Sequence, residues 1–301
     1  MPAGFDPEHF MLDFRGRTLD CRPAKEIGAH VMGILNVTPD SFSDGGRYTT
    51  LPAALARVEE MLSEGARLVD IGGESSRPTG KTYGRGASGV PVREEIDRVV
   101  PVVRAVAERF PTTLISVDTW KPDVARAALE AGAHLINDVT GLRYTTETAA
   151  AAADFDVPLV LMHSLGKPGD MPQAHTYEDV LREVTESLSL SVQKAVEAGV
   201  RHVIVDPGFG FGKTPRENLR LLNDVERILE LGRPVMIGVS RKSTIGAVLG
   251  TPERPAPVDD RLYGSLGATA VGVLRGASIV RTHDVRPTME MLSLIGAALN
   301  S

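Results

Sequence analysis

Short runs of β-branched and aliphatic residues recur along the chain, each followed by a longer stretch whose apolar positions fall at helical spacing. The runs start at His30 (HVMGILNV), Arg67 (RLVDIGG), Thr113 (TLISVDT), Ala133 (AHLINDV), Pro158 (PLVLMHS), His202 (HVIVDPG), Pro234 (PVMIGVS) and Ala277 (ASIVRTHD). Their regular alternation with helical segments predicts βα units. Helices are expected at 52–63, 93–109, 122–131, 178–198, 216–231, 259–274 and 286–299. Pro52 and Pro122 suit a first helical turn, where a missing N–H leaves nothing unpaired. Gly65, Gly132 and Gly199 stand where a helix end takes the left-handed conformation before the next strand. Eight such units predict a closed (β/α)8 TIM barrel in a single domain over residues 1–301, with an open doubly wound sheet as the alternative. Residues 10–21 (FMLDFRGRTLDC) alternate around Gly16, which predicts a short N-terminal β-hairpin placed to plug the barrel bottom. The glycine-rich stretch 77–91 and the proline-rich stretch 251–259 break the cadence. They are expected to be a long loop after the second strand and an extended connection after the seventh.

Composition narrows the functional classes. With 42% hydrophobic and 24% charged residues the chain has ordinary globular composition, which excludes disordered and collagen-like structure. The 33 Lys and Arg against 39 Asp and Glu give a net charge of −6, so no general field favours nucleic acid and any anionic ligand must be held by a local cluster. A single cysteine, Cys21, forbids an intrachain disulfide, points to a reducing compartment and reads as a small apolar residue. Asp6 and Glu8 stand where a secretory signal has basic residues, and nowhere do 18 apolar residues follow one another. A cytoplasmic protein with no membrane partner is expected.

Several motif matches fail on context. Gly84, Gly86 and Gly89 fit a dinucleotide fingerprint, but no strand precedes them and Pro91 follows. Gly212-Lys213-Thr214 resembles the end of a Walker loop whose first glycine is here Pro207. Asn36-Val37-Thr38 fits a glycosylation acceptor, which a cytoplasmic chain does not use. The seven histidines show no paired zinc spacing.

In a barrel the chemistry collects at the C-terminal ends of the strands. Here those ends carry Asn36, then Gly73-Glu74-Ser75-Ser76-Arg77, Asp118, Asn137-Asp138, Met162-His163, Asp206, Ser240-Arg241-Lys242 and Arg281-Thr282-His283. Any one Asp or Asn there can be a helix cap. Polar residues at all eight ends, with cations on the last two, make a joint structural explanation weak. Asp and Asn side chains pair with a flat heterocycle bearing amino and amide groups, and Arg281 and His283 suit a phosphate beside the last strands.

The motifs that carry these residues run in order: GILNVTPDSFSDGG from Gly33, DIGGESSRP from Asp70, SVDT from Ser116, IND from Ile136, DPGFGFGK from Asp206, SRKS from Ser240 and RTHDV from Arg281. This set resembles the dihydropteroate synthase family over residues 30–285. The resemblance implies condensation of 6-hydroxymethyl-7,8-dihydropterin diphosphate with 4-aminobenzoate, giving dihydropteroate and diphosphate in folate synthesis, with magnesium as the cofactor. On matching positions, Asp118, Asn137, Asp206 and Lys242 hold the pterin, with Met162 packing on it. Asn36, Arg281 and His283 hold the diphosphate, and Asn36 gives an amide oxygen to the metal. Ser76, Arg77, Phe211, Ser240 and Lys242 frame the aminobenzoate. Asp118, Lys242, Arg77 and Asp40 are the catalytic candidates. Loss of diphosphate precedes attack by the amine, and glycine-rich loops over 38–48 and 75–91 exclude water.

Three departures from the family pattern stand out. Ser76 replaces a common threonine, His163-Ser164-Leu165-Gly166 replaces a Met-His-Met-Gln-Gly ending, and the stretch 81–89 lengthens the second loop. The same barrel serves methyltetrahydrofolate methyltransferases, against which the retained strand-7 and strand-8 cations and the full first loop argue, and pterin-binding paralogues without activity. The resemblance further implies a homodimer, for which 262–274 (LYGSLGATAVGVL) supplies small and apolar residues that barrel packing explains equally well.

Overall fold

The computed structural model describes residues 6–23, 28–38, 50–74, 89–167, 175–251, 253–299 and 301. Eight parallel strands run β3 (His30–Asn36), β4 (Leu68–Gly72), β5 (Leu114–Asp118), β6 (Leu135–Asp138), β7 (Leu159–Met162), β8 (Val203–Asp206), β9 (Met236–Ile237) and β10 (Ile279–Thr282). They hydrogen-bond in the order β8-β7-β6-β5-β4-β3-β10-β9. A parallel bridge between Val205 and Val235 brings the two ends together, with Val205 N donating to Pro234 O at 2.9 Å. The sheet is therefore a nearly closed barrel and not an open doubly wound sheet.

Around it lie α1 (Leu51–Ser63), α2 (Val92–Arg109), α3 (Pro122–Glu130), α4 (Glu147–Asp154), α5 (Val180–Glu197), α6 (Pro215–Asn223), α7 (Val225–Ile228), α8 (Ser243–Leu249), α9 (Leu262–Leu274) and α10 (Val285–Leu299). Three features depart from the sequence pattern. The expected helix over 216–231 breaks at Asp224, whose backbone leaves the helical region (φ −108°, ψ 25°), into α6, α7 and a 3₁₀ turn. Helices α4 and α8 had no expectation, because an alanine run (ETAAAAAD) carries little apolar period and α8 is short and interrupted by Gly246. The connection over 251–259 is not extended throughout, since Val258–Arg261 forms a 3₁₀ turn that leads into α9.

Strand alternation sorts the core into two layers. Leu35, Ile71, Val117, Ile136, Leu161, Val205, Ile237 and Val280 join the cluster formed with the helices. Met32, Leu68, Leu114, Leu135, Val160, Ile204, Met236 and Ile279, one from each strand, join a separate cluster inside the barrel. That inner cluster is completed by Leu12, Phe14, Leu19 and Cys21 from the N-terminal hairpin, β1 (Met11–Asp13) and β2 (Thr18–Asp20). Arg15 (φ 56°) and Gly16 (φ 84°) both lie in the left-handed region, as a two-residue hairpin turn requires, and Gly16 N donates to Asp13 Oδ1 at 2.6 Å. The hairpin thus closes the floor of the barrel, and Cys21 is buried within it. No described helix is long and apolar enough to cross a membrane.

Candidate active site

The inner layer fixes what comes above it. Two residues further along each strand the side chain returns to the interior. From β3 to β10 these positions hold Ile34, Asp70, Ser116, Asn137, Met162, Asp206, Gly238 and Arg281. One more step reaches Asn36, Gly72, Asp118, Val139, Ser164, Gly208, Ser240 and His283. Asn137, Met162, Asp206 and Arg281 on one level, and Asn36, Asp118, Ser240 and His283 on the next, therefore face one mouth. Asp138 has the opposite parity, and its carboxylate braces the turn after the strand by accepting from Thr140 N (2.8 Å), Thr140 Oγ1 (2.7 Å) and Thr148 Oγ1 (2.8 Å). Glu74 is likewise engaged outside this set, by Lys121 Nζ at 3.0 Å, which also reaches Glu95 Oε2 at 2.6 Å.

A polar network floors the mouth. Arg281 donates from Nε to Asp70 Oδ2 at 2.6 Å and from Nη2 to Asp118 Oδ2 at 2.8 Å. Ser116 Oγ donates to Asp70 Oδ1 at 2.5 Å, and Asn137 Nδ2 to Asp70 Oδ2 at 3.1 Å. Burial pushes the Asp118 carboxyl up to about 7 against the pull of Arg281, and the Asp70 carboxylate adds to the rise. Asp206 is also raised by burial, with Lys242 opposing. For Arg281 burial acts downward, but the Asp70 and Asp118 carboxylates outweigh it and hold the guanidinium charged. The buried Oδ1 of Asn137 has no hydrogen-bond partner among the described residues.

The segment after β8 supplies the opposite wall. Gly208 (φ +69°) and Gly210 (φ +85°) turn the chain so tightly that a Cβ at Gly208 would stand 1.9 Å from His163 O, and one at Gly210 2.9 Å from Lys242 Cδ. Gly208 N donates to Asp206 Oδ1 at 2.7 Å. Lys213 holds the turn from beneath, its Nζ donating to Gly208 O (2.9 Å), Phe211 O (3.0 Å) and His163 O (3.5 Å). Lys242 Nζ donates to Phe209 O at 2.5 Å and stands 4.3 Å from the centre of the Phe211 ring. Burial lowers Lys213 to about 7 and Lys242 to about 8, with Asp206 working against the drop in both. Phe211, Met162 and Val139 form a small apolar cluster of their own beside the polar floor.

At the β9–β10 corner, Ser240 Oγ lies 3.1 Å from His283 Nδ1 and accepts from His283 N at 3.3 Å. Between Ser240 and Lys242, Arg241 takes a left-handed backbone (φ 55°), is fixed by Ser265 Oγ at 2.9 Å, and turns its guanidinium to Asp284. Asn36 ends β3 beside Gly72, where a Cβ would lie 3.7 Å from Asn36 Oδ1 and 3.8 Å from Asp118 Oδ2. The missing side chain leaves two hard oxygens bordering one space.

The described residues thus bring together Asn36, Asp118, Asn137, Met162, Asp206, Phe211, Ser240, Lys242, Arg281 and His283. Asp40, Ser76 and Arg77 lie outside the described residues. Asp70, Ser116, Phe209 and Lys213 had no role in the sequence reading. Asp70 carried a signal there: it is the one charge in the strand LVDIG, with the parity of Gly72 rather than of Ile71.

A family model described as pterin binding enzyme matches residues 32–283. The dihydropteroate synthase of Streptococcus pyogenes serotype M6 is 43% identical over 272 residues, covering 90% of this chain and 96% of that protein. The solved structure of Xanthomonas albilineans dihydropteroate synthase with 4-aminobenzoic acid superposes with a TM-score of 0.84 at 42% identity, over 97% of this chain and 99% of that one. A structure of the X. albilineans enzyme in complex with 7,8-dihydropteroate gives a TM-score of 0.80 at 41% identity, over 97% of this chain and 99% of the other.

Proposed function

Since the chain belongs to the pterin-binding enzymes and, within them, to the dihydropteroate synthase family, we propose that it joins a dihydropterin diphosphate to 4-aminobenzoate at this mouth. The observation that carries the reading is the acceptor-rich floor. Asn137 Oδ1, buried without a partner among the described residues, stands with the carboxylates of Asp118 and Asp206 on inward positions of β6, β5 and β8. A pterin edge presents ring N–H and amino groups, each of which needs a fixed acceptor once water is expelled. Met162 and Phe211 supply an apolar surface for the ring, and Lys242 borders it with a charged donor.

The remaining substrate groups follow the charges. Arg281, whose Nε and Nη2 serve Asp70 and Asp118, offers Nη1 to a phosphate oxygen, together with His283 and Asn36. Phe211, Ser240 and Lys242 border the aminobenzoate, joined on the strength of the motif alone by Ser76 and Arg77, and by Asp40 as a further catalytic carboxylate toward the cation or substrate. Magnesium fits this donor set, because it favours hard oxygens and takes one or two protein ligands beside waters and phosphates. Asn36 Oδ1, bordering the space at Gly72, would be such a ligand, and no cluster of three or more His, Cys, Asp or Glu that could hold a metal is present among the described residues. When bound, the metal neutralises charge on the diphosphate.

Arg281 and His283 donate to the diphosphate as the bond from the pterin methylene carbon to its oxygen breaks and the electron pair leaves with the diphosphate. The conjugated ring spreads the positive charge left on the carbon, and the Asp118 and Asp206 carboxylates hold that ring in place. The aminobenzoate nitrogen then bonds to the carbon and sheds one proton to solvent. No side chain of the protein bonds to the substrate. The test is to incubate the purified protein and magnesium with the pterin diphosphate, with and without 4-aminobenzoate. Dihydropteroate formed together with diphosphate is expected. Pterin binding in calorimetry without any product would overturn the synthase reading and leave a binding protein.

We further infer a homodimer in the cytoplasm. The outer face of α9 exposes Tyr263 (83%), Val271 and Leu274, and α10 exposes Leu294 (73%) and Leu299. These apolar side chains have no use in water and favour a helix-to-helix contact between copies over the packing role that the sequence left open. The lone Cys21 suits a reducing compartment.

A further inference from the structure

We infer that Asp70 is a positioning residue of the pterin site, whose carboxylate gathers the inward donors of Ser116, Asn137 and Arg281 and so dictates that Asn137 shows the ring an acceptor. The inference rests on the reading that a pterin occupies this floor.

Asp70 lies in the middle of β4 and is fully buried. The level beneath it is apolar on every strand, from Met32 round to Ile279, so nothing in the barrel packing calls for a charge here. The partners of Asp70 come from three other strands, Ser116 from β5, Asn137 from β6 and Arg281 from β10, at 2.5, 3.1 and 2.6 Å. A carboxylate only accepts. Facing it, the Asn137 amide has one workable orientation, with Nδ2 toward Asp70, because the other would set oxygen against oxygen. Asn137 Oδ1 is then committed to the remaining side, where it is buried and without a partner among the described residues. Without Asp70 the amide could turn over, and ligand N–H groups would meet an N–H. The same carboxylate fixes Nε of Arg281, whose Nη2 reaches Asp118 Oδ2. One buried group therefore holds side chains on both the pterin and the diphosphate sides.

The test is a double-mutant cycle on the full chain, read by calorimetry with 6-hydroxymethylpterin lacking diphosphate. Asp70→Ala would orphan the Arg281 guanidinium and endanger the fold. Asp70→Asn keeps the shape while offering one acceptor oxygen to three donors, and circular dichroism confirms its folding. Asp70→Asn and Asn137→Ala are each expected to weaken pterin about tenfold, the scale of one buried hydrogen bond. Because Asp70 acts through Asn137, the double variant should bind within about twofold of Asn137→Ala alone. Ser116→Ala loosens the carboxylate and spares the ion pair to Arg281. It should weaken pterin about threefold and be silent in the Asn137→Ala background. Losses that multiply, as those from a merely structural residue would, overturn the inference, as does an Asp70→Asn protein that binds like wild type. A wild type that bound no pterin would overturn the underlying reading and this inference with it.

Discussion

Asp118 shows how burial sets chemistry at the scale of one residue. Its carboxyl is pushed from about 3.8 to about 7, so the folded protein holds this proton more tightly than the unfolded chain does. A group of that kind contributes stability that is fully present below the unfolded value and lost as the pH rises through the folded one. In the absence of ligand, the melting temperature of wild type minus that of Asp118→Asn should fall steadily between about pH 4 and about pH 8. A difference that stays flat would show that the carboxylate titrates normally. The polar strand tops were legible in the sequence because an Asp, Asn or Arg ending an apolar run is conspicuous. Asp70 was conspicuous only as the one charge inside its strand, two residues before the end at Gly72, and its inward parity becomes evident only when closure of the barrel and the seating of the hairpin show which face of each strand is inside.

At the scale of elements, the segment from Asp206 to Lys213 depends on backbone shapes that side chains disfavour. Gly208 and Gly232 have nearly the same φ, +69° and +67°, yet a Cβ at Gly208 would collide with the backbone of His163 whereas one at Gly232 meets nothing within 4 Å. Gly232→Ala should therefore cost only the left-handed strain, about 1 kcal/mol. Gly208→Ala should cost at least about 3 kcal/mol and abolish pterin binding, because the clash displaces the turn that carries Phe209, Phe211 and Lys213. Denaturant unfolding of both variants checks the pair, and equal losses would refute the steric account. The strands and most helices were readable from period and punctuation. What period could not reveal was α4, where alanine packs without a contrasting face, and the break at Asp224, which depends on where α6 and α7 each find their place against the barrel.

For the whole molecule, the count of eight strand-and-helix units was enough to anticipate the barrel, since parallel strands with crossover helices have few ways to bury both faces. The assembly was less legible, because apolar residues on α9 could serve either the barrel or a second copy. Tyr263 on α9 and Leu294 on α10 face outward, which supports the proposed contact with a second copy. Tyr263→Glu combined with Leu294→Glu should convert a dimer to monomers in analytical ultracentrifugation while the far-ultraviolet spectrum stays unchanged. A wild type that sediments as a monomer would remove the dimer. The hairpin at the other end has a consequence for turnover. Leu12, Phe14, Leu19 and Cys21 pack into the base, so among the described residues the barrel is stoppered at that end and open at the other. Two substrates and two products must all pass that one rim, and a departing product held there obstructs the next arrival, so the order of traffic is imposed by the shape of the container as well as by the affinities of its wall.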